Sequence, residues 1–139
     1  MKIRKNQQVV QVLLIQQHQT VSSTSPSDSA TSVSVSENVS VTFSEAMDTT
    51  SVTTNTSDTS CSGTFQVSSD SFSSCVQMSS SPSASNSNKT FTVTPSSSLT
   101  ESTIYKIRVS TGVKDTSGNA LSSQYEMTNG FTTESVKFV

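Results

Sequence analysis

Hydroxyl side chains dominate the residues that could do chemistry: 34 Ser and 21 Thr in a chain of 139. A hydroxyl becomes a nucleophile only when a neighbouring base takes its proton. The sole histidine is His18, in an atypical N-terminal stretch, and no Gly-x-Ser-x-Gly elbow occurs. The serines therefore read as soluble filling of strand faces. Paired carboxylates would serve acid–base chemistry, but Glu45 and Asp48 flank a turn while Asp28, Asp58 and Asp70 fall in separate polar stretches. No glycine-rich phosphate loop is present. Calcium is the one ligand with any support, because hard cations take oxygen ligands from loops. Asp28, Glu45, Asp48 and Asp115 supply such oxygens if they gather at one end of a β-domain. Without an Asp-x-Asp-x-Asp-Gly spacing, turn and capping hydrogen bonds are the stronger reading. No enzyme, metal or cofactor is expected.

Cys61 and Cys75 are the only thiols. A redox pair favours Cys-x-x-Cys, and two cysteines with one remote histidine do not make a zinc site. Ser68-Ser69-Asp70 lies midway between them and has turn chemistry. A hairpin of Thr64–Val67 with Phe72–Cys75 about that turn brings the cysteines face to face, within bridging distance. In that register Phe65 and Phe72 fall on opposite faces, so a β-bulge or longer loop is needed to unite them. A disulfide is expected, and with it an oxidising, extracytoplasmic compartment.

These residues need a scaffold, and composition restricts which. Only 30% of residues are hydrophobic, 13% are charged, and the net charge is −2. That excludes a large enzyme core, a helical bundle and nucleic-acid binding through basic charge. Low apolar content alone would suit disorder, but that usually comes with high net charge. Apolar placement decides the matter. Val39, Val41 and Phe43 alternate with Ser40, Thr42 and Ser44; Phe91 and Val93 alternate with Thr92 and Thr94; Tyr105, Ile107 and Val109 alternate with Lys106, Arg108 and Ser110. Period-two alternation gives a pleated strand one core face and one wet face. On the wet face, Lys106 and Arg108 read as solvation.

Strands are expected at Thr20–Thr24, Ser32–Ser36, Asn38–Ser44, Ser51–Asn55, Thr64–Val67, Phe72–Met78, Lys89–Pro95, Thr103–Ser110 and Tyr125–Thr132. Helical turns are expected only at Glu45–Asp48 and Ser98–Ser102. One-faced strands need a second sheet, so the fold is an all-β, two-sheet sandwich of seven to nine short antiparallel strands over residues 20–134. Residues 1–19 read as an N-terminal tail: Lys2, Arg4 and Lys5 precede the apolar run Val9–Ile15 in outline of a secretory signal, without an Ala-x-Ala site. A signal remnant, an upstream segment, an artefact of the chain's start or an extra strand are the readings there. The apolar run is too short to span a bilayer. Residues 135–139 read as a C-terminal tail or linker. Asn38, Asn55 and Asn88 fit the glycosylation sequon, as chance matches do in a chain of this composition.

Val41-Thr42-Phe43-Ser44-Glu45-Ala46-Met47-Asp48 resembles a segment of the bacterial Ig-like domains of the S-layer-protein type. So do Phe91 to Pro95 with Leu99 and Tyr105 to Val109, Gly112 to Asp115 with Ser117 to Leu121, and the closing Phe131-Thr132-Thr133. The order and spacing match over about Val21–Thr133, apart from a Ser/Thr/Cys-rich insertion around Thr56–Ser87. The resemblance implies an immunoglobulin-like Greek-key sandwich in a bacterial surface or secreted protein, acting as spacer or adhesion module. Phe43, Glu45, Met47, Asp48, Tyr105, Asp115, Gly118 and Asn119 are then fold-keeping motif residues: Met47 plugs the sandwich end, Tyr105 bonds a corner, and Asp115 accepts N–H groups in the turn that Gly118 and Asn119 complete. Expected partners are neighbouring Ig-like domains, or a host matrix protein or glycan bound at the insertion. No nucleic acid and no membrane span are expected. The alternatives are a calcium-binding adhesin domain and an accessory domain of an exported polysaccharide-active enzyme. The chain has no Trp for stacking on sugars.

Overall fold

The computed structural model describes residues 19–136. Eight strands form in chain order: β1 (Val21–Ser25), β2 (Val39–Phe43), β3 (Phe65–Ser68), β4 (Ser83–Ser85), β5 (Thr90–Val93), β6 (Ile104–Val109), β7 (Tyr125–Glu126) and β8 (Phe131–Thr132). One sheet has the order β1-β2-β5-β4, the other β3-β6-β7, with β8 also on β6. Every ladder is antiparallel. An outer pair, then a crossover from β2 to β3 in the opposite sheet, is the connectivity of the immunoglobulin sandwich. The expected all-β fold class holds.

The period-two residues make the core. Val39, Val41 and Phe43 of β2 face inward beside Phe91 and Val93 of β5, and meet Phe65, Val67, Tyr105, Ile107 and Val109 of the other sheet. The Phe43 and Phe91 rings meet edge to face at 5.9 Å, and Tyr105 stacks on Phe131 at 5.8 Å. Such pairs add roughly 0.5–1.5 kcal/mol each beyond the area they bury.

Six expected elements came out differently. Ser32–Ser36 forms only a parallel bridge, Val33 to Thr133, because Ser32 turns the chain with a φ of 53°. Ser51–Asn55 begins in a 3-10 turn, Thr49–Ser51, which displaces the helical turn expected at Glu45–Asp48. The stretch after it is tied by single bonds, such as Phe65 N to Thr53 O at 2.8 Å, and not by a ladder. Ser98–Ser102 is bend and turn without helix. Phe72–Met78 is no strand either: Ser71 and Phe72 both have positive φ, and the ladder partner of β3 is β6. β4 lies between the expected strands Phe72–Met78 and Lys89–Pro95, where none is expected. The last expected strand, Tyr125–Thr132, is broken into β7 and β8.

The break has a clear cause. Glu126 pairs with Arg108, and Met127 N donates to Ile107 O, so the register holds to that point. Phe131 then pairs with Tyr105. Thr128–Gly130 is therefore a bulge on this edge. Gly130 sits in it at φ +89°, where a Cβ would come within 2.6 Å of the Tyr105 carbonyl oxygen.

The disulfide joins Cys61 and Cys75, with an S–S distance of 2.03 Å and Cα atoms 5.1 Å apart. It forms without the expected hairpin. Cys75 N donates to Thr59 O, Val76 N to Val67 O and Met78 N to Asn55 O, so this chain covers the outer edge of β3. Phe65 is buried in the core while Phe72 stays on the outer face, under the Arg108 guanidinium at 4.1 Å. No bulge is needed to unite them, because they belong to different faces. Arg108 is correspondingly not mere solvation: its Nε also donates to Gln66 Oε1 at 2.8 Å.

Candidate functional site

The motif residues gather mainly at one end of the sandwich, where β2 finishes and β6 has just ended. Met47, almost wholly buried, bridges to Asp115 on the loop after β6, and Asp48 N donates to Lys114 O at 2.8 Å. Lys114 N in turn donates to Ser51 Oγ at 2.8 Å. Two loops distant in sequence are thereby bonded main chain to main chain.

The carboxylates at this end face their own backbone. Asp115 Oδ1 accepts from the N–H groups of Ser117 (2.9 Å) and Asn119 (2.8 Å), and Oδ2 from Asn119 Nδ2 at 3.1 Å. Gly118, at φ +89°, completes the turn. Burial raises the Asp115 pKa, but bonds from Glu45 and from Asn119 and Ser117 outweigh it and hold it below the ordinary value. Glu45 moves the other way: its hydrogen bond to Asp115 raises its pKa, and burial and charge repulsion add to this. Asp48 caps the 3-10 turn, accepting from Thr50 N at 3.0 Å and Thr50 Oγ1 at 2.8 Å, which lowers its pKa. Gln19, also buried here, donates through Nε2 to Asn119 O at 2.9 Å, and its Oε1 has no hydrogen-bond partner.

Asp28 is at the opposite end. It follows β1, whose last residue pairs with Ser40 near the start of β2, whereas Phe43 at the end of β2 lies against Val21. Its Oδ1 accepts from Asn129 N at 3.0 Å and Gly130 N at 2.7 Å. The bond from Gly130 is the main cause that lowers its pKa. The four calcium candidates thus do not meet at one end. Among the described residues, no group of three or more His, Cys, Asp or Glu is placed to hold a metal ion. Tyr105 belongs to the Asp28 end: its Oη accepts from Thr100 N at 2.8 Å, fixing the corner before β6. His18 lies outside the described residues, as do most of the N-terminal tail and residues 137–139.

A shallow hollow of about 180 Å³ beside the motif end is lined by Gln19 to Val21 and Leu121 to Tyr125, without a carboxylate, histidine or cysteine. Nothing there pairs a nucleophile with a base. A family model described as a bacterial Ig-like domain matches residues 16–133. The chain belongs to that family.

This Ig-like domain also resembles solved S-layer structures. It superposes on the surface layer protein SbsC, domains 1–6, with a TM-score of 0.61 at 21% identity, covering 96% of this chain and 16% of that one. A crystal structure of the S-layer protein rSbsC(31-844) gives 0.58 at 23% identity, covering 85% and 14%. The N-terminal part of SbsC gives 0.59 at 22% identity, covering 85% and 24%. At these identities the likeness is one of fold, and the domain spans less than a quarter of each S-layer chain. No curated protein matches it. No helix among the described residues is long and apolar enough to cross a membrane.

Two clusters escaped the sequence reading. One is Asp28 with Asn129 and Gly130, although Asn-Gly is itself a turn signal. The other is Gln66, Phe72 and Arg108, for which alternation gave no signal, because the outer face of a strand is expected to be wet.

Proposed function

We propose that this Ig-like domain is a non-catalytic structural spacer in a bacterial surface-layer or other extracellular protein, contacting neighbouring domains of its own chain. One observation carries the reading: Asp115, the motif carboxylate best placed for a ligand, has both oxygens occupied by adjacent N–H groups, and Asp48 Oδ1 accepts from Thr50 N and Oγ1. A site built for a ligand leaves such groups unspent. The disulfide supports an extracytoplasmic setting, and the S-layer structures supply examples of the fold within multidomain surface proteins. The motif residues then act by holding loops, with Met47 and Tyr105 as the apolar plug and the corner.

The test is an amide-resolved titration of the isotope-labelled chain with calcium, oligosaccharides and extracellular-matrix fragments. A spacer leaves the amide positions unchanged with all three. Saturable shifts confined to one loop set would overturn the reading and make the domain an adhesion module.

A further inference from the structure

Asn129-Gly130 is the only Asn-Gly pair in the chain, and such a pair carries a reaction of its own. The backbone nitrogen after an asparagine is one bond away from closing a five-membered ring on the side-chain amide carbon. A glycine there has no Cβ to obstruct the closure. Gly130 N, as its amide anion, attacks Asn129 Cγ. The N–Cγ bond forms, the Cγ–Nδ2 bond breaks, and Nδ2 leaves as ammonia with the proton that Gly130 N gave up. Water then opens the succinimide at one of its two carbonyls, leaving an aspartate or an isoaspartate at position 129.

In the folded chain the reacting groups are tied elsewhere. Gly130 N, the nucleophile, donates to Asp28 Oδ1 at 2.7 Å. Asn129 Nδ2, the leaving group, donates to Asp28 Oδ2 at 3.3 Å and to Ser29 Oγ at 3.1 Å. Asn129 N also donates to Asp28 Oδ1, at 3.0 Å, and Gly130 O accepts from Ser29 N at 2.8 Å. One carboxylate thus holds both the attacking and the departing nitrogen. Its charge opposes loss of the Gly130 proton as well, since that sets a second negative charge 2.7 Å from the first. Rotation of the backbone towards Cγ is further restrained, because Gly130 is buried so close to β6 that a Cβ would meet Tyr105 O at 2.6 Å. Asn129 is exposed, so the hydrolytic step has solvent beside it.

We propose that Asn129-Gly130 is a latent self-modification site, that Asp28 keeps it unreacted while the bulge stays closed, and that deamidation makes an opening of this edge permanent. After ring closure Gly130 has no N–H left to donate to Asp28. After hydrolysis, position 129 carries a carboxylate where the Nδ2 donor stood, and it faces Asp28 with like charge. Isoaspartate also routes the main chain through Cβ, one atom longer, which shifts Phe131 and Thr132 against their partners Tyr105 and Ile104. The site therefore records local opening: freedom from Asp28 lets the pair react, and reaction blocks reclosure. This goes beyond the spacer reading and does not depend on it.

The test is peptide mass mapping of the full, oxidised 139-residue chain held at neutral pH, following the one-dalton gain at position 129 and its isoaspartate content. The reference is a short peptide with the sequence of residues 127–132, which lacks Asp28. A reaction that requires local opening is slowed by the opening equilibrium, and the bonds to one ionised carboxylate are strong enough to slow it by roughly tenfold. The parent should react slower than the peptide by at least that factor, and Asp28→Ala should close most of the gap. Asp28→Asn, which keeps an acceptor without the charge, should fall between. The control for general loosening is Asp70→Ala, which removes a carboxylate bonded to Ser68 and Ser74, away from the pair; it should leave position 129 as slow as in the parent. A parent as fast as the peptide, or an Asp28→Ala chain no faster than Asp70→Ala, would overturn the guarding role of Asp28. If Asp28→Ala gives no dispersed amide spectrum, Asp28→Asn carries the same comparison with Asp70→Ala. The deamidated parent, separated by its added charge, should unfold at lower urea than the unreacted chain, and equal midpoints would overturn the permanence of the opening. Ligand binding in the titration above would remove the spacer reading and leave all of these rates untouched.

Discussion

Gly118 and Gly130 share a φ of +89° yet occupy different surroundings, which separates two costs that usually travel together. A Cβ at Gly118 meets nothing within 4 Å; one at Gly130 lands 2.6 Å from a backbone oxygen and 2.8 Å from the Ile104 side chain. Gly118→Ala pays only the left-handed backbone penalty, about 1 kcal/mol. Gly130→Ala adds displacement of the β6 backbone, and its total should reach about 3 kcal/mol. Urea unfolding of both variants against the parent checks this. Equal losses at the two glycines would mean that the bulge relaxes and that contact with Tyr105 does not require a glycine. The same comparison shows how a residue can be legible in type and illegible in consequence. Asn129-Gly130 announces a turn in the sequence, but only the pairing of both flanks with β6 makes it a bulge inside a strand.

At the level of elements, the strands that were legible are those whose apolar side chains alternate: β2, β5 and β6 each bury every second residue, and the pattern survives into the structure. β4 was not legible because Ser83-Ala84-Ser85 has no apolar alternation. Its register comes from the turn that follows, where Asn86, Ser87 and Asn88 all take positive φ. The disulfide was legible as a pair but not as a hairpin, since its geometry depends on how Thr59, Val67 and Asn55 catch the returning chain. A cross-link over 14 residues should contribute about 3 kcal/mol through the unfolded state in the chain-entropy model. The Cys61→Ser, Cys75→Ser double variant should lose that much by denaturant titration. Hydrogen exchange should then show early opening at Cys75–Met78 and on the outer edge of β3, while β2 and β5 keep their protection until global unfolding. Uniform loss of protection would mean that the covered edge and the core form one cooperative unit.

For the molecule as a whole, the carboxylates set how stability follows pH. Asp28, Asp48, Asp58, Asp70 and Asp115 all lie below their ordinary values in the folded chain, and Asp70 falls furthest, to about 2. The bonds from Ser74 Oγ (2.6 Å) and Ser74 N (3.0 Å) are the main reason, followed by that from Ser68 Oγ. A carboxylate whose folded pKa is depressed binds fewer protons folded than unfolded, so it stabilises above its unfolded pKa and loses that contribution as pH falls through the folded one. For Asp70 the window runs from 3.8 down to about 2. Glu45 has the opposite sign. Its raised pKa favours the fold when protonated, and that contribution disappears as pH rises through the folded value, above 4.5. Urea midpoints measured across this range should therefore climb from pH 2 towards pH 4 and then ease downward through the Glu45 transition, above 4.5. Asp70→Asn should flatten the acid limb, and Glu45→Gln should remove the decline at higher pH. An acid limb of unchanged steepness in Asp70→Asn would assign acid unfolding to the other aspartates, with Asp28, which accepts from Asn129 N and Gly130 N, as the next to replace.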